Sequence, residues 1–122
     1  MFEVTIRQHF DAAHYLRDYQ GKCEKMHGHR FEVVISLKLG KLNDIGLAYD
    51  FTELKRLLGE ILVKYDHTCI NDIAPFDKIN ASSENIAITI FEQLREKLGE
   101  FAIALPGVQV WESPTSYVTY TP

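Results

Sequence analysis

The segment Cys23-Glu24-Lys25-Met26-His27-Gly28-His29 runs directly into the stretch that decides the fold. After it, apolar residues occupy every second position, at Phe31, Val33, Ile35, Leu37 and Leu39. This period of two predicts a β-strand with one buried face. Carried backward, the same parity places His27 and His29 on the buried face.

Two imidazoles at positions i and i+2 of a strand lie ~7 Å apart at the backbone, close enough to converge on one metal ion. The N-terminal strand offers a third imidazole, because its apolar parity continues through Phe10 and Ala12 to His14. If the two strands pair as a hairpin, His14 joins His27 and His29. Three neutral nitrogens around Zn²⁺ leave a fourth position open, as in catalytic zinc sites. Ordinary histidines bonded to backbone at a loop mouth are the alternative.

Length and composition limit the class of protein. The 122 residues predict one domain spanning residues 1–122. The sequence has no apolar run of membrane-spanning length and begins directly with a strand pattern, so we expect a cytoplasmic protein. A net charge of -4 argues against a nucleic-acid partner. Two cysteines, Cys23 and Cys69, make no disulfide framework and are expected to be reduced.

Two amphipathic helices and a hairpin follow the first two strands. Asp50 is expected to cap a helix whose apolar stripe runs from Phe51 to Tyr65. Ser82 or Ser83 is expected to cap a second helix that stops at Gly99. The last hairpin is predicted at 108–112 and 117–121. The order β-β-α-α-β-β predicts an α+β fold in which two helices cover one face of a four-stranded antiparallel sheet.

Three further positions carry side chains suited to catalysis. Cys23 lies four residues before His27, where Zn²⁺ and Lys22 would favour the thiolate, although Cys23 could instead be a fourth metal ligand. Asp66 could orient His67 for proton transfer, although a histidine near a helix end is also common. Glu112 shares the parity of Val108 and Val110, which indicates an inward carboxylate that needs a donor pair, although Trp111 on the other parity could instead mark the buried face.

Six ordered motifs together identify a family. They are His14 after Phe10-Asp11-Ala12-Ala13, Cys23-x-x-x-His27-Gly28-His29, Gly46-Leu47-Ala48-Tyr49-Asp50-Phe51, Asp66-His67-Thr68-Cys69-Ile70-Asn71, Ser83-Glu84-Asn85-Ile86-Ala87, and Glu112. Over essentially its whole length the chain resembles the 6-pyruvoyltetrahydropterin synthase and 6-carboxytetrahydropterin synthase family. The resemblance implies the tunnelling fold, in which β-β-α-α-β-β subunits join edge to edge into barrels, commonly stacked trimers.

The resemblance also implies roles for individual residues. His14, His27 and His29 would be the Zn²⁺ ligands, Cys23 the catalytic thiol, and Asp66 with His67 the proton-transfer pair. Glu112 would anchor the pterin ring. Ser82 and Glu84 are expected to contact the substrate, although Ala81-Ser82 stands where the family often has Pro-Thr. Because the family's site is built between subunits, we expect a homo-oligomer, a trimer or hexamer, acting on a dihydropterin triphosphate.

The sequence motifs allow more than one reaction product. The short spacing from Cys23 to His27 resembles bacterial 6-carboxytetrahydropterin synthases, which serve queuosine biosynthesis. Glu24 resembles the glutamate of a branch that forms 6-hydroxymethyldihydropterin, a folate precursor. Formation of 6-pyruvoyltetrahydropterin is a third alternative. A module in which zinc only stiffens the hairpin is a non-enzymatic alternative, but structural zinc sites usually close with four protein ligands.

Overall fold

The computed structural model describes residues 1–18 and 25–122 of the chain. In chain order the elements are β1 (Phe2–His14), β2 (His27–Leu39), α1 (Phe51–Leu62), β3 (Thr68–Cys69), α2 (Ser83–Leu98), β4 (Val108–Ser113) and β5 (Ser116–Tyr120). Short 3₁₀ turns follow β3 and α2, at Ile70–Asp72 and Gly99–Ala104. The predicted order and the α+β tunnelling-fold class are confirmed, with one extra strand.

The long hairpin of β1 and β2 forms the centre of the sheet. The two strands pair antiparallel without interruption, from Phe2 opposite Leu39 to His14 opposite His27. Because side chains alternate between faces, this single register decides which residues of both strands share a face. The buried apolar residues of β1 and β2 all point to the side that the helices cover.

The sheet has five strands in the order β3-β1-β2-β4-β5, where four antiparallel strands were predicted. The additional strand, β3, contributes Thr68 and Cys69, which pair parallel to Ala12 and Ala13 of β1. A two-residue strand has no periodicity to detect, and it forms here because the chain leaving α1 runs along the outer edge of β1. The sheet is therefore mixed at this edge.

Both helices begin where their capping residues predict. The Asp50 side chain accepts from the Thr52 N–H, and the Ser82 side chain accepts from the Asn85 N–H. Phe51, at the first position of α1, is 56% exposed and does not join the apolar stripe. α2 ends at Gly99, whose φ of 56° is a conformation that glycine adopts without cost.

One hydrophobic core lies between the sheet and the helices. The sheet contributes the buried residues Val4, Ile6, Phe10, Phe31, Val33, Ile35, Leu37, Val108 and Val110. The helices contribute Leu54, Leu58, Ile61, Ile86, Ile90 and Leu94. The opposite face of the sheet is polar, with Thr5 bonded to Ser36 and Arg7 paired with Glu32. None of the helices in the described ranges is both long and apolar enough to cross a membrane.

Candidate metal and catalytic site

Three histidines meet at the end of the central hairpin, on the face that the helices cover. The β1–β2 register sets His14 opposite His27, and His29 follows two positions along β2 on the same face. Ring centroids lie 4.5 Å apart for His14 and His27, 5.5 Å for His14 and His29, and 4.5 Å for His27 and His29. Strand alternation and register alone bring these imidazoles together.

Backbone carbonyls fix the tautomers of two of these rings. His14 Nδ1 lies 2.7 Å from the Ala81 carbonyl oxygen, and His27 Nδ1 lies 2.8 Å from that of Lys25. A carbonyl only accepts, so each Nδ1 carries the proton and each neutral ring presents the lone pair of Nε2. Within residues 1–18 and 25–122, the buried Nε2 atoms of His14 and His29 have no hydrogen-bond partner. Such Nε2 atoms are suited to bind a cation.

Glu112 brings a carboxylate to the same point from the neighbouring strand β4. Its Oε1 atom lies 3.5 Å from His14 Nε2, 3.6 Å from His27 Nε2 and 3.0 Å from His29 Nε2. Its other oxygen, Oε2, accepts a hydrogen bond of 3.0 Å from the Ser83 hydroxyl. The pairing of β4 with β5 is irregular between Trp111 and Ser113, and a bulge of this kind re-aims the side chain between them.

Two groups of the cluster, His29 and Glu112, have shifted pKa values. Burial lowers the pKa of His29, and the positive charge that His27 and His14 would carry lowers it further, while Glu112 acts in the opposite direction. The nearby His14 imidazole, together with the Ser83 hydroxyl, lowers the pKa of Glu112 to about 2 despite its partial burial. Both shifts favour a neutral His29 ring beside an ionised Glu112 carboxylate.

This donor set fits a transition metal ion. One ligand atom each from His14, His27, His29 and Glu112 lies within 4.8 Å of all the others. Imidazole nitrogens with a carboxylate oxygen are a ligand set that Zn²⁺ commonly takes in proteins. The Nδ1 bonds of His14 and His27 supply the outer hydrogen bonds that orient ligating histidines. The cluster can therefore hold a metal ion with residues from three adjacent strands.

The N-terminus of α2 lies over this cluster. Ser82 uses its hydroxyl oxygen to cap the helix, whereas the next residue, Ser83, donates to Glu112. Glu84 is exposed on the first turn. Ser83 could not be assigned to the site from the sequence, because either serine could have capped the helix. The sequence does hold one signal. Only one of the two serines can cap the helix, and the hydroxyl of the other needs a different hydrogen-bond partner if it is buried, as Ser83 is at 7% exposure.

A second group of polar residues lies at the outer edge of β1. Asp66 Oδ2 is 3.0 Å from His67 Nδ1, and Asp66 Oδ1 accepts from the Asp11 N–H at 2.9 Å. The His67 N–H in turn donates to the Asp11 carbonyl at 2.6 Å. The Asp11 N–H, followed by the His67 ring, lowers the pKa of Asp66. Asp66 is thus held as a carboxylate against the ring of its neighbour.

Two properties distinguish this Asp66–His67 pair from the histidine cluster. His67 has a φ of 59°, a left-handed conformation that costs a non-glycine residue roughly 1–2 kcal/mol. Its side chain is 79% exposed. In the described part of the chain, the ligand atoms of Asp11, Asp66 and His67 form a group of their own, separate from that of His14. One chain does not bring the pair and the cluster into one group.

Two asparagines, buried Asn71 and partly buried Asn80, fix the chain that leaves His14. Asn71 exchanges hydrogen bonds with the backbone of Tyr15, at 3.1 Å and 3.0 Å, and Asn80 does so with Arg17, at 2.8 Å and 3.1 Å. These bonds fix the backbone at Tyr15 and Arg17. Cys23 and Glu24, both assigned to catalysis from the sequence, lie outside the described residues.

The chain is similar to known pterin enzymes over nearly its whole length. The family model described as PTPS, 6-pyruvoyl tetrahydropterin synthase, matches residues 3–122. The 6-carboxy-5,6,7,8-tetrahydropterin synthase of Bacillus subtilis is 34% identical over 128 aligned positions, covering 99% of this chain and 86% of that protein. The dihydroneopterin monophosphate aldolase of Pyrococcus furiosus is 33% identical over 112 positions, covering 89% of this chain and 88% of that protein.

A solved structure agrees with the fold. The 6-pyruvoyl tetrahydropterin synthase of Caenorhabditis elegans superposes with a TM-score of 0.84 at 29% identity, covering all of this chain and 97% of that one. Sequence motifs, strand order and a family match across nearly the whole chain agree, and the family inferred from the motifs is confirmed. The chain belongs to the 6-pyruvoyl tetrahydropterin synthase family.

Proposed function

We propose that this chain catalyses the zinc-dependent conversion of 7,8-dihydroneopterin triphosphate to 6-carboxytetrahydropterin, a step toward queuosine and related deazapurines. The observation that carries the proposal is the convergence of three imidazole Nε2 atoms on one point beside a carboxylate. The Bacillus subtilis relative, named as a 6-carboxy-5,6,7,8-tetrahydropterin synthase, supports this product.

Within this proposal, His14, His27 and His29 hold Zn²⁺, which when bound polarises the side-chain oxygens of the substrate and acidifies the adjacent C–H bonds. Cys23 removes a proton from the substrate side chain as a thiolate. Its place in the sequence, four residues before His27, supports that role.

The Asp66–His67 pair carries protons while triphosphate and the carbon fragment leave. Asp66 orients the ring through Nδ1, which leaves Nε2 of His67 to meet the substrate. Because the pair and the histidine cluster form separate groups within one chain, we assign the pair in each site to a neighbouring subunit of a homo-oligomer, a trimer or hexamer. The exposure of His67 supports this assignment.

The pterin ring is recognised beside the cluster. The Glu112 carboxylate accepts from two adjacent N–H groups of the ring, a bidentate arrangement that suits a fixed planar donor pair. Ser82 and Glu84 flank Ser83 at the N-terminus of α2, and we assign them to contacts with the same pterin substrate.

Product analysis tests the proposal. The purified protein with one equivalent of Zn²⁺ is incubated with 7,8-dihydroneopterin triphosphate, and the pterins are separated and weighed by mass spectrometry. We expect 6-carboxytetrahydropterin as the main product, loss of turnover after chelation, and recovery when Zn²⁺ is restored. A product mixture containing only 6-hydroxymethyldihydropterin or only 6-pyruvoyltetrahydropterin would contradict the assignment.

A second candidate is formation of 6-hydroxymethyldihydropterin with Glu24 as the acid or base. The Pyrococcus furiosus relative, named as a dihydroneopterin monophosphate aldolase, favours this alternative at nearly equal identity. Cys23→Ala should abolish the carboxy product and leave some hydroxymethyl product, and Glu24→Ala should do the reverse. If Glu24→Ala changes neither rate nor product ratio, Glu24 is only a charge on the loop.

The non-enzymatic alternative is a zinc module that only stiffens the hairpin. Zinc content and turnover of two variants distinguish it from the enzyme. We expect Cys23→Ala to retain zinc and lose turnover, whereas His27→Ala loses both. Equal zinc loss in the two variants would make Cys23 a fourth ligand and remove its catalytic role.

A further inference from the structure

The Glu112 carboxylate has two different partners at once. Oε1 faces the three Nε2 atoms of His14, His27 and His29, while Oε2 is held by the Ser83 hydroxyl. Four ligand atoms placed tetrahedrally at ~2.0–2.1 Å from a zinc ion are about 3.4 Å from one another. The three Oε1 distances, 3.5, 3.6 and 3.0 Å, lie around that value. Oε1 stands where a fourth ligand atom would be.

The hydrogen-bond pattern shows why a cation belongs between these atoms. Nδ1 of His14 and Nδ1 of His27 each donate to a backbone carbonyl, so in the matching neutral tautomer each Nε2 directs its lone pair toward Oε1. A nitrogen lone pair and a carboxylate oxygen that face each other repel, unless a cation lies between them. Oε1 lies 3.0 Å from His29 Nε2, yet this Nε2 atom has no hydrogen-bond partner among the described residues. Glu112 is thus placed as a ligand.

We propose that Glu112 is the fourth ligand of the metal in the resting protein and transfers to the pterin ring when substrate binds. This inference rests on the proposed function, in which the same carboxylate anchors the pterin. One carboxylate cannot bind both partners through Oε1. Ser83 holds Oε2 as the pivot of the exchange, and the Glu112 side chain is 31% exposed, so a ligand can reach it from solvent. The position that Glu112 leaves becomes available to the substrate side chain.

Metal affinity tests the resting state without turnover. Chelator competition on the whole protein should show that Glu112→Gln weakens Zn²⁺ binding at least tenfold. Glu92→Gln, an exposed change on the same helix, should bind Zn²⁺ as tightly as the parent. Ser83→Ala, which removes only the outer hydrogen bond, should weaken binding by a smaller factor and serves if Glu112→Gln folds poorly. Unchanged affinity in both Glu112→Gln and Ser83→Ala overturns the proposal.

The exchange itself is tested with cobalt and an unsubstituted pterin. Co²⁺ in place of Zn²⁺ reports its coordination by visible absorption, and a pterin without a side chain has no oxygen to offer from that position. Adding it should change the Co²⁺ spectrum of the parent, because Glu112 leaves the metal, and should leave that of Glu112→Gln unchanged. An unaltered parent spectrum at saturating pterin overturns the exchange. Failure of the proposed reaction would appear separately, as missing product with these metal results intact.

Discussion

The histidine cluster and the Asp66–His67 pair are built in opposite ways. The cluster is positioned by regular strands, and His14, at 3% side-chain exposure, lies under the N-terminus of α2. The pair lies at the edge of β1, with His67 79% exposed and in a left-handed conformation. The cluster has its ligand set within one chain, whereas the pair presents its imidazole to the outside.

The energetic basis of the two regions differs accordingly. The cluster follows from the register of β1 and β2, so the same core contacts that stabilise the sheet also hold the ligands. The pair depends on a short parallel bridge and on hydrogen bonds to the Asp11 backbone, while His67 pays a conformational cost. Changes in the cluster should therefore affect metal binding and folding, and changes in the pair should affect turnover while leaving metal binding intact.

The largest effect is expected at the buried end of the cluster. His14→Ala removes one metal ligand and leaves the Ala81 carbonyl without its donor, so zinc content should fall from about one ion per chain to under about a tenth. Metal analysis of the purified protein measures this. His9→Ala, on the exposed face of the same strand, is the matched control and should keep its zinc. Zinc retained by His14→Ala would remove His14 from the ligand set.

At the pair, turnover and stability should move in different directions. His67→Gly should lower kcat by roughly 10²–10⁴-fold through loss of the proton carrier. It should retain zinc, and its free energy of unfolding should be equal to that of the parent or higher by up to about 1 kcal/mol, because glycine adopts the left-handed conformation freely. Urea unfolding measures this. Asp18→Gly, also at a positive φ of 61°, should keep full turnover. A destabilised, zinc-poor His67→Gly would mean that the two regions are not independent.

A smaller effect is expected at the helix end above the cluster. Ser82→Ala removes the α2 cap and should cost about 1 kcal/mol in the free energy of unfolding, measured with urea. Asp50→Ala removes the equivalent cap of α1, remote in sequence from both regions, and should cost a similar amount. Any rise in KM seen for Ser82→Ala and not for Asp50→Ala would come from a substrate contact. Equal KM values would restrict Ser82 to capping.

Much of the fold was predictable because it rests on periodicity. The alternation along β1 and β2 anticipates that His14, His27 and His29 share a face, and capping residues anticipate where both helices begin. β3 was not predictable, since two residues carry no period and pair only because α1 delivers them to the edge of β1.

The parts of the site that could not be predicted depend on single local geometries. Adjacent residues such as Asp66 and His67 need not touch, and their contact follows from the positive φ of His67. Parity indicated that Glu112 points inward, but not that its Oε1 atom lies within 3.6 Å of three histidine Nε2 atoms. Which serine caps α2 and which bonds Glu112 was likewise undetermined until the helix start was known.

Mixing two inactive variants tests most directly whether the cluster and the pair of one site come from different chains. His27→Ala lacks a metal ligand and His67→Ala lacks the proton carrier, so each should be inactive alone. Refolded together in equal amounts, with mixed assemblies verified by native mass spectrometry, they should recover up to about a quarter of the parent activity, the share of sites that receive both intact partners. Mixed assemblies with no activity above that of either variant would contradict a shared site.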